Sequence, residues 1–131
     1  MSITMELARV IIIEMQEHQM IVLREVGGER SFPIIIGAVE ATAIDRRLKG
    51  IPAPRPLTHD LLANVIENLG GTLEAIEINN LQEHTFFARL HVRQNGKLLK
   101  IDSRPSDAIA LGVVGNVPIL VAEHVLKEAG V

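Results

Sequence analysis

The chain lacks cysteine, tryptophan and tyrosine, and its aromatic side chains are three phenylalanines. The absence of cysteine excludes disulfides, thiolate zinc sites and cysteine nucleophiles. So few aromatic faces argue against a surface on which successive bases of a single strand could stack. The net charge is −3, from 13 basic and 16 acidic residues. The chain as a whole therefore lacks the positive field that attracts nucleic acid without regard to sequence.

Long apolar runs are missing as well. No stretch approaches the roughly 20 apolar residues of a membrane-spanning helix, and Glu6 and Arg9 interrupt the N-terminal segment where a signal peptide would be apolar. We therefore expect a cytoplasmic protein with no membrane partner. An apolar content of 47% in 131 residues is ample for one packed core, so we predict a single domain over residues 1–131.

Two short motifs each occur twice, about half the chain apart. Gln16-Glu17-His18 recurs as Gln82-Glu83-His84, and Glu40-Ala41-Thr42-Ala43-Ile44 recurs in similar form as Asp107-Ala108-Ile109-Ala110-Leu111. This pattern predicts an internal duplication with pseudo-repeats at about 1–66 and 67–131. Each copy is predicted to be a β-β-β-α unit followed by a further helix.

The hydrophobic periodicity fills in these units. Alternating or apolar runs predict hairpins over 3–26 and 73–93 and short strands over 32–36, 97–102 and 117–121. Helical spacing predicts helices that start near 39, 58, 105 and 122, with Thr58 as an N-cap and an apolar stripe formed by Leu61, Leu62, Val65, Ile66 and Leu69. The fold class is therefore α+β, with a mixed, partly closed sheet or barrel.

Three of the predicted helices begin with an acid close to a proline or glycine: Glu40, Asp60 and Asp107. Helix N-termini carry partial positive charge and free N–H groups that suit phosphate, and carboxylates at the same place could hold a divalent cation with it. An acid in the first helical turn also stabilises the helix by about 0.3 to 1 kcal/mol without any other role. Both interpretations stay open.

The run Arg55-Pro56-Leu57-Thr58-His59-Asp60 combines three chemically useful side chains. Arg55 offers a bidentate fork for phosphate, His59 can act as a general acid or base near neutral pH, and Asp60 can orient the histidine or bind metal. The structural alternative is a proline-stiffened loop that leads into a capped helix.

The run Asp102-Ser103-Arg104-Pro105-Ser106-Asp107 is the densest polar segment. Asp102 ends a strand and Asp107 lies one helical turn further on, so both could face one crevice. Arg104 and Ser106 are candidate phosphate ligands there, and carboxylates beside an arginine are a setting for shifted pKa values. The structural alternative is a capped helix whose arginine pairs with an acid.

Taken together, these runs resemble a known family. The segment Pro33-Ile34-Ile35-Ile36-Gly37 with Glu40-Ala41, the run from Arg55 to Leu61, and the run from Ile101 to Leu111 are similar to the bifunctional nuclease domain over nearly the whole chain. The resemblance implies a nuclease that acts on both DNA and RNA. It assigns no catalytic residue, so the candidates rest on their chemistry.

Two functions follow. The first is a nuclease that hydrolyses phosphodiester bonds, with Mg²⁺ or Mn²⁺ held by Glu40 and Asp107, and with His59, Asp60 and Asp102 as further catalytic candidates. The second is a non-catalytic module that binds an anionic ligand or a protein partner. We further predict that Glu40 and Asp107 face each other across the repeat axis, and that apolar strand edges make the protein a homo-oligomer.

Overall fold

A computed structural model describes residues 1–13 and 15–131. In this part of the chain, seven strands form one sheet: β1 (Ser2–Ile11), β2 (His18–Glu25), β3 (Ser31–Gly37), β4 (Gly71–Gln82), β5 (Thr85–Gln94), β6 (Lys97–Ser103) and β7 (Ile119–Ala122). The helices are α1 (Ala38–Lys49), α2 (Thr58–Asn68), α3 (Pro105–Gly112) and α4 (Glu123–Glu128), and a 3₁₀ turn over Val113–Gly115 follows α3.

The strand order across the sheet is β3-β2-β1-β7-β4-β5-β6. Two antiparallel three-stranded meanders lie on either side of β7, which runs antiparallel to β1 and parallel to β4. The sheet is therefore mixed, and the predicted α+β class is confirmed. The predicted partial closure is not seen: the order is linear, and β3 and β6 are its two edges.

The order strand-strand-strand-helix occurs twice, as β1-β2-β3-α1 and β4-β5-β6-α3. The element order thus follows the sequence prediction, while the duplication itself stays a prediction. Short turns allow this order, since neighbouring antiparallel strands need only two connecting residues. Asn95 and Gly96 form such a turn between β5 and β6, with φ of 50° and 77°, as expected for a type I′ turn.

The core lies between one face of the sheet and the helices. Alternate side chains of β2, β3 and β5 are buried, as the twofold periodicity of a strand requires: Ile21, Leu23, Phe32, Ile34, Ile36, Ala88, Leu90 and Val92. α3 is buried along nearly its whole length, between α1 on one side and β4 and β5 on the other. This burial fixes the first turn of α3, and with it the polar segment that precedes the helix.

α2 differs from its sequence prediction in two ways. Leu57, not Thr58, is the N-cap, because the Asp60 carboxylate accepts the Leu57 backbone N–H at 3.0 Å and draws the helix start to that residue. The apolar stripe is also largely in solvent: Leu61, Val65 and Leu69 are 56%, 43% and 66% exposed. The helix rests on the core mainly through Ala63 and Ile66.

Candidate functional site

The first turns of α2 and α3 meet at a three-residue cluster. His59 Nε2 lies 2.8 Å from Asp107 Oδ1, and Arg104 donates to both Asp107 oxygens, from Nε at 2.8 Å and from a terminal nitrogen at 3.2 Å. Arg104 is the N-cap of α3, and Pro105 occupies the first helical position, where a missing N–H costs nothing. The fold thus brings His59, Arg104 and Asp107 together from two separate runs of the sequence.

The Asp107 carboxylate is held in its charged form. Its burial raises its pKa, but hydrogen bonds from Arg104 and His59 outweigh the burial, so the pKa lies below its usual value. In return, the hydrogen bond to Asp107 raises the pKa of Arg104. A carboxylate that stays ionised beside an imidazole can orient the ring and stabilise its protonated form, which is what proton transfer by a histidine requires.

Asp60 lies beside this cluster but has different partners. It accepts two hydrogen bonds from one Arg46 nitrogen, at 2.9 and 2.8 Å, and a further one from Arg47. The backbone hydrogen bond from Leu57, together with these guanidinium groups, holds the pKa of Asp60 below its usual value. These contacts favour the structural interpretation of Asp60, as the residue that joins the end of α1 to the start of α2.

Arg46 and Arg47 are less exposed than a basic surface patch would be. The Arg47 side chain is only 7% exposed, and its Nε donates to the Ala110 carbonyl of α3 at 2.6 Å. The sequence offered no partner for these arginines, because Asp60 is 13 or 14 residues away along the chain. Through these contacts α1 is joined to α2 at Asp60, next to His59, and to α3 at Ala110, one helical turn after Asp107.

Glu40 lies on the other side of Arg104. It lines a cavity of about 710 Å³ together with Arg104 and Ser106, and its charge contributes to the raised pKa of Arg104. The Glu40 carboxyl group folds back over Gly37: a Cβ at Gly37 would lie 2.0 Å from Oε1. Glu40 and Asp107 therefore act on the same guanidinium group from the first turns of α1 and α3. Whether the two carboxylates face each other across a repeat axis stays a prediction.

The other predicted site residues divide into near and distant positions. Ser106 is 6% exposed and lines the same cavity as Arg104. Arg55 is exposed at a bend in the connection between α1 and α2. Asp102 is exposed on the edge strand β6, opposite Arg89 of β5, and no hydrogen bond among the described residues joins it to Asp107. Asp102 thus lies on the sheet, outside the cluster.

A second, partly buried polar cluster was missed by the sequence analysis. Glu77 of β4 accepts hydrogen bonds from Arg89 at 2.9 Å and contacts His91 Nε2 at 2.9 Å, both on β5. Burial raises the pKa of Glu77, but hydrogen bonds from His91 and Arg89 outweigh it and leave the pKa lowered. The His91 side chain is 13% exposed. The alternation of polar residues along β5 was a signal, but the pairing register of β4 was needed to interpret it.

Among residues 1–13 and 15–131, no group of three or more histidine or acidic side chains lies close enough together to hold a metal ion. None of the described helices is long and apolar enough to cross a membrane.

Comparisons with known proteins agree with the sequence motifs. The profile of the bifunctional nuclease domain matches residues 21–131. The uncharacterized proteins Rv1829 and MT1877 of two Mycobacterium tuberculosis strains are each 44% identical over 115 residues, which is 88% of this chain and 68% of theirs. Bifunctional nuclease 1 of Oryza sativa subsp. japonica is 26% identical over 117 residues, covering 86% of this chain and 35% of the rice protein.

The similarity thus includes the segments that carry Glu40, the His59–Asp107 pair and Arg104. The chain spans about a third of the length of the plant nucleases that it matches, and two thirds of the mycobacterial proteins. On the strength of the domain match and the mycobacterial relatives, the chain belongs to the bifunctional nuclease domain family.

Proposed function

We propose that this protein is a nuclease that hydrolyses phosphodiester bonds of DNA and RNA at the cluster of His59, Arg104 and Asp107. The observation that carries the proposal is the contact of His59 Nε2 with Asp107 Oδ1 at 2.8 Å, which joins two runs that are distant in sequence. Membership of the bifunctional nuclease domain family and the names of the plant relatives support the same activity. The metal requirement and the roles of single residues are part of the proposal.

In this mechanism His59 moves the proton. Asp107 holds the imidazole through Nε2, so the second ring nitrogen is the one that would take a proton from the attacking water or give one to the leaving oxygen. Because Asp107 stays ionised, it also stabilises the imidazolium that forms when His59 accepts that proton. A positioned general base or acid of this kind accelerates reactions by about 10² to 10⁴.

Arg104 would bind the phosphate that is cleaved. Its side chain is 64% exposed even though it donates to Asp107, so a terminal nitrogen can reach a ligand from solvent. A guanidinium group placed at developing negative charge stabilises the transition state of phosphoryl transfer. Ser106, which lines the cavity with Arg104, and the exposed Arg55 in the connection before α2 are further candidate phosphate ligands.

The proposal includes a divalent cation held by Glu40 and Asp107. Glu40 and Asp107 provide carboxylate oxygens, and Mg²⁺ typically binds through one or two carboxylates and the phosphate of the substrate. No hydrogen bond or ion pair joins the Glu40 carboxylate to another side chain among residues 1–13 and 15–131. Arg104 donates two hydrogen bonds to the Asp107 carboxylate, so a cation that binds Asp107 would have to displace one of them. When bound, the ion would polarise the phosphate and offset the charge of the acids.

The experiment follows cleavage of labelled DNA and RNA by stringently purified protein, in EDTA and after Mg²⁺ or Mn²⁺ is restored. We expect cleavage only with metal, and loss of cleavage in Asp107→Asn. Asp45→Asn is the matched control, because Asp45 is also an acid in a helix but pairs with the exposed Lys49. Unchanged cleavage in EDTA, with loss of cleavage in Asp107→Asn, would contradict the metal requirement and point to metal-free catalysis by His59. Unchanged cleavage in EDTA by both the wild type and Asp107→Asn would identify a contaminating nuclease.

The competing proposal is a module that binds an anionic ligand or protein segment without cleaving it. The net charge of −3 favours it, as does the pairing of Arg104 with Asp107, which can be purely structural. Absence of cleavage with every metal tested, together with measurable binding of nucleic acid, would support the module. The cytoplasmic location expected from the sequence stays a prediction that cell fractionation would test.

A further inference from the structure

The cavity beside the candidate site is a groove along the outer edge of β3. Residues 32–37 all line it. Side chains of a strand alternate between its two faces, so a surface that touches six consecutive residues must run along the backbone edge. β3 is an edge strand of the sheet. Its outward backbone N–H and C=O groups therefore face the groove with no strand partner among the described residues.

The opposite wall is apolar, and one end is polar. Leu81 and Phe86 form the wall, and Phe86 stacks on Phe32 with ring centroids 5.6 Å apart. Ser106 closes the end nearest Arg104. Its residue is 94% buried, yet its hydroxyl has no hydrogen-bond partner in the described part of the chain. A serine hydroxyl offers one donor and two acceptor sites, so an unpartnered hydroxyl in a residue that lines the cavity is available to a ligand.

A strained turn also borders the groove. Glu83 and His84 connect β4 to β5 with φ of 48° and 66°, a conformation for which asparagine and glycine are preferred. The β5–β6 turn does use Asn95 and Gly96. Keeping larger side chains in the first turn costs stability, and such strain is concentrated at binding sites.

We propose that this groove binds one unpaired nucleobase of the strand that is cleaved, an inference that rests on the proposed nuclease function. A base has apolar faces and donors and acceptors on its edge, which match the Phe86 wall and the unpaired edge of β3. Its phosphate would then reach Arg104 and Ser106. Bases of a duplex are stacked and paired, so the substrate must be single-stranded or locally opened.

The test measures binding of short fluorescent strands in EDTA by anisotropy. We expect a single strand to bind about tenfold more tightly than an abasic strand of equal length and charge, since contacts to one base are typically worth that much. Thr85→Leu places a larger, non-aromatic side chain on the exposed rim of the groove and should remove the difference. Thr72→Leu, the same substitution on β4 outside the groove, should keep it.

The outcomes separate this inference from the proposed function. Equal binding of base-bearing and abasic strands by the folded wild-type protein would overturn the groove assignment, while cleavage of either strand would leave the nuclease intact. Preference for bases without cleavage under any metal would support the groove and remove the nuclease. Retained preference in Thr85→Leu, with an unchanged melting temperature, would place the base elsewhere.

A second and independent inference concerns the other edge of the sheet. Every residue of β6 from 97 to 102 is exposed, and the strand contains no proline or bulge that would block pairing. Leu99 and Ile101 lie opposite Val92 and Leu90 on the core side of the sheet but are 38% and 43% exposed. An apolar unpaired edge of this kind is normally covered.

The charges on β6 favour pairing with β6 of a second copy of the chain, in one particular antiparallel register. Directly opposed residues of antiparallel strands share one face of the sheet, so two copies of β6 can pair about a twofold axis at Leu99, Lys100 or Ile101. An axis at Lys100 opposes two like charges. An axis at Ile101 places Lys100 of each copy opposite Asp102 of the other, giving two opposite-charge pairs with Ile101 against Ile101 on the core side.

The apolar side of α2 adds to this surface. Ile66 of α2 lies beside Gly71 and Val92, and Val92 pairs with Leu99 of β6, so α2 and Leu99 lie on the same face of the sheet. Leu61, Val65 and Leu69 are the exposed row of this helix. If two β6 strands pair, the helices of the second copy lie next to α2 on the same face of the joined sheet. Exposed apolar surface that is contiguous is a mark of an interface.

We propose that β6 pairs with β6 of a second copy in the register centred on Ile101. Sedimentation velocity over a range of concentrations tests it. We expect wild-type dimers, a dissociation constant raised about tenfold or more by Lys100→Asp or by Asp102→Lys, and recovery when both substitutions are combined. Lys97→Asp is the control, since Lys97 has no strand partner in this register.

A wild-type monomer at high concentration would overturn the interface. If the folded double variant dimerised as weakly as the single variants, the proposed register would be wrong. Dissociation by Lys97→Asp to the same extent would show that the charges act generally and not in pairs.

Discussion

Replacing Asp60 by asparagine tests whether this acid holds the three helices together. The carboxylate accepts from Arg46, Arg47 and the Leu57 backbone N–H, and Asp60→Asn keeps one oxygen while it places an NH₂ group against two guanidinium groups. Hydrogen bonds to charged groups each contribute about 1.5 to 3 kcal/mol. The Arg47 side chain is 7% exposed, and a buried charge that loses its partner is the costliest case.

We therefore expect Asp60→Asn to lower the free energy of unfolding by about 3 kcal/mol, allowing for the bond that the asparagine oxygen retains and for solvent around the 26% exposed carboxylate. For a chain of this size the melting temperature should fall by roughly 10 to 15 °C. Urea unfolding followed by far-UV circular dichroism measures the change, because the chain has no tryptophan or tyrosine for fluorescence.

Asp45→Asn is the control for this experiment. Asp45 pairs with Lys49 at 3.0 Å, one turn along α1, and the Lys49 side chain is 60% exposed. Surface pairs of this type contribute about 0.3 to 0.5 kcal/mol. If Asp60→Asn cost no more than Asp45→Asn, the arginines would have other partners, and the structural interpretation of Asp60 would be refuted.

Three further predictions concern the site. Asp107→Asn should reduce cleavage by about 10² to 10⁴, because His59 loses its charged partner. The free energy of unfolding should fall by about 1 to 3 kcal/mol, because Arg104 and His59 lose a charged hydrogen-bond acceptor. Full activity in rate assays would make Asp107 structural. Gly37→Ala should displace the Glu40 carboxyl group, because the new Cβ would lie 2.0 Å from its Oε1. We expect the cleavage rate to fall about tenfold or more with little loss of stability. An unchanged rate would exclude a role for Glu40 at that position. Asp60 and Asp107 have lowered pKa values in the folded state. The stabilisation that these carboxylates provide is therefore complete above the ordinary carboxyl pKa of 3.8 and is lost as the pH falls through the lowered values. Urea unfolding at a series of acidic pH values should show that the free energy of unfolding falls less steeply with pH in Asp60→Asn than in the wild type, and an identical pH dependence would contradict the assignment.

The sequence was sufficient for the local elements and their order. Strands β2, β3 and β5 were predictable because their buried residues alternate, as at Phe32, Ile34 and Ile36. The Asn95-Gly96 turn and the end of α1 at Gly50 were predictable because only a few residues adopt positive φ readily. These features depend on neighbours within a few residues, which is the information that periodicity and turn chemistry contain.

The apolar stripe of α2 shows where local patterns stop. Leu61, Val65 and Leu69 have the spacing of a buried helix face and are exposed. Spacing determines that the apolar side chains share one side of the helix, but the surface that covers that side is decided by packing against other parts of the chain or by a second copy. The same limit applied to β7, whose parallel pairing with β4 joins the two halves of the sheet.

For the candidate site, the sequence determined the residue types, and tertiary structure decided the partners. His59, Arg104 and Asp107 could be selected from the sequence, because their runs begin helices and resemble a nuclease family. The contact of His59 with Asp107 and the hydrogen bonds from Arg46 and Arg47 to Asp60 depend on how helices from distant segments pack. Hydrogen bonds act over about 3 Å, whereas these segments are separated by tens of residues, so only the folded chain determines which of the candidate side chains meet.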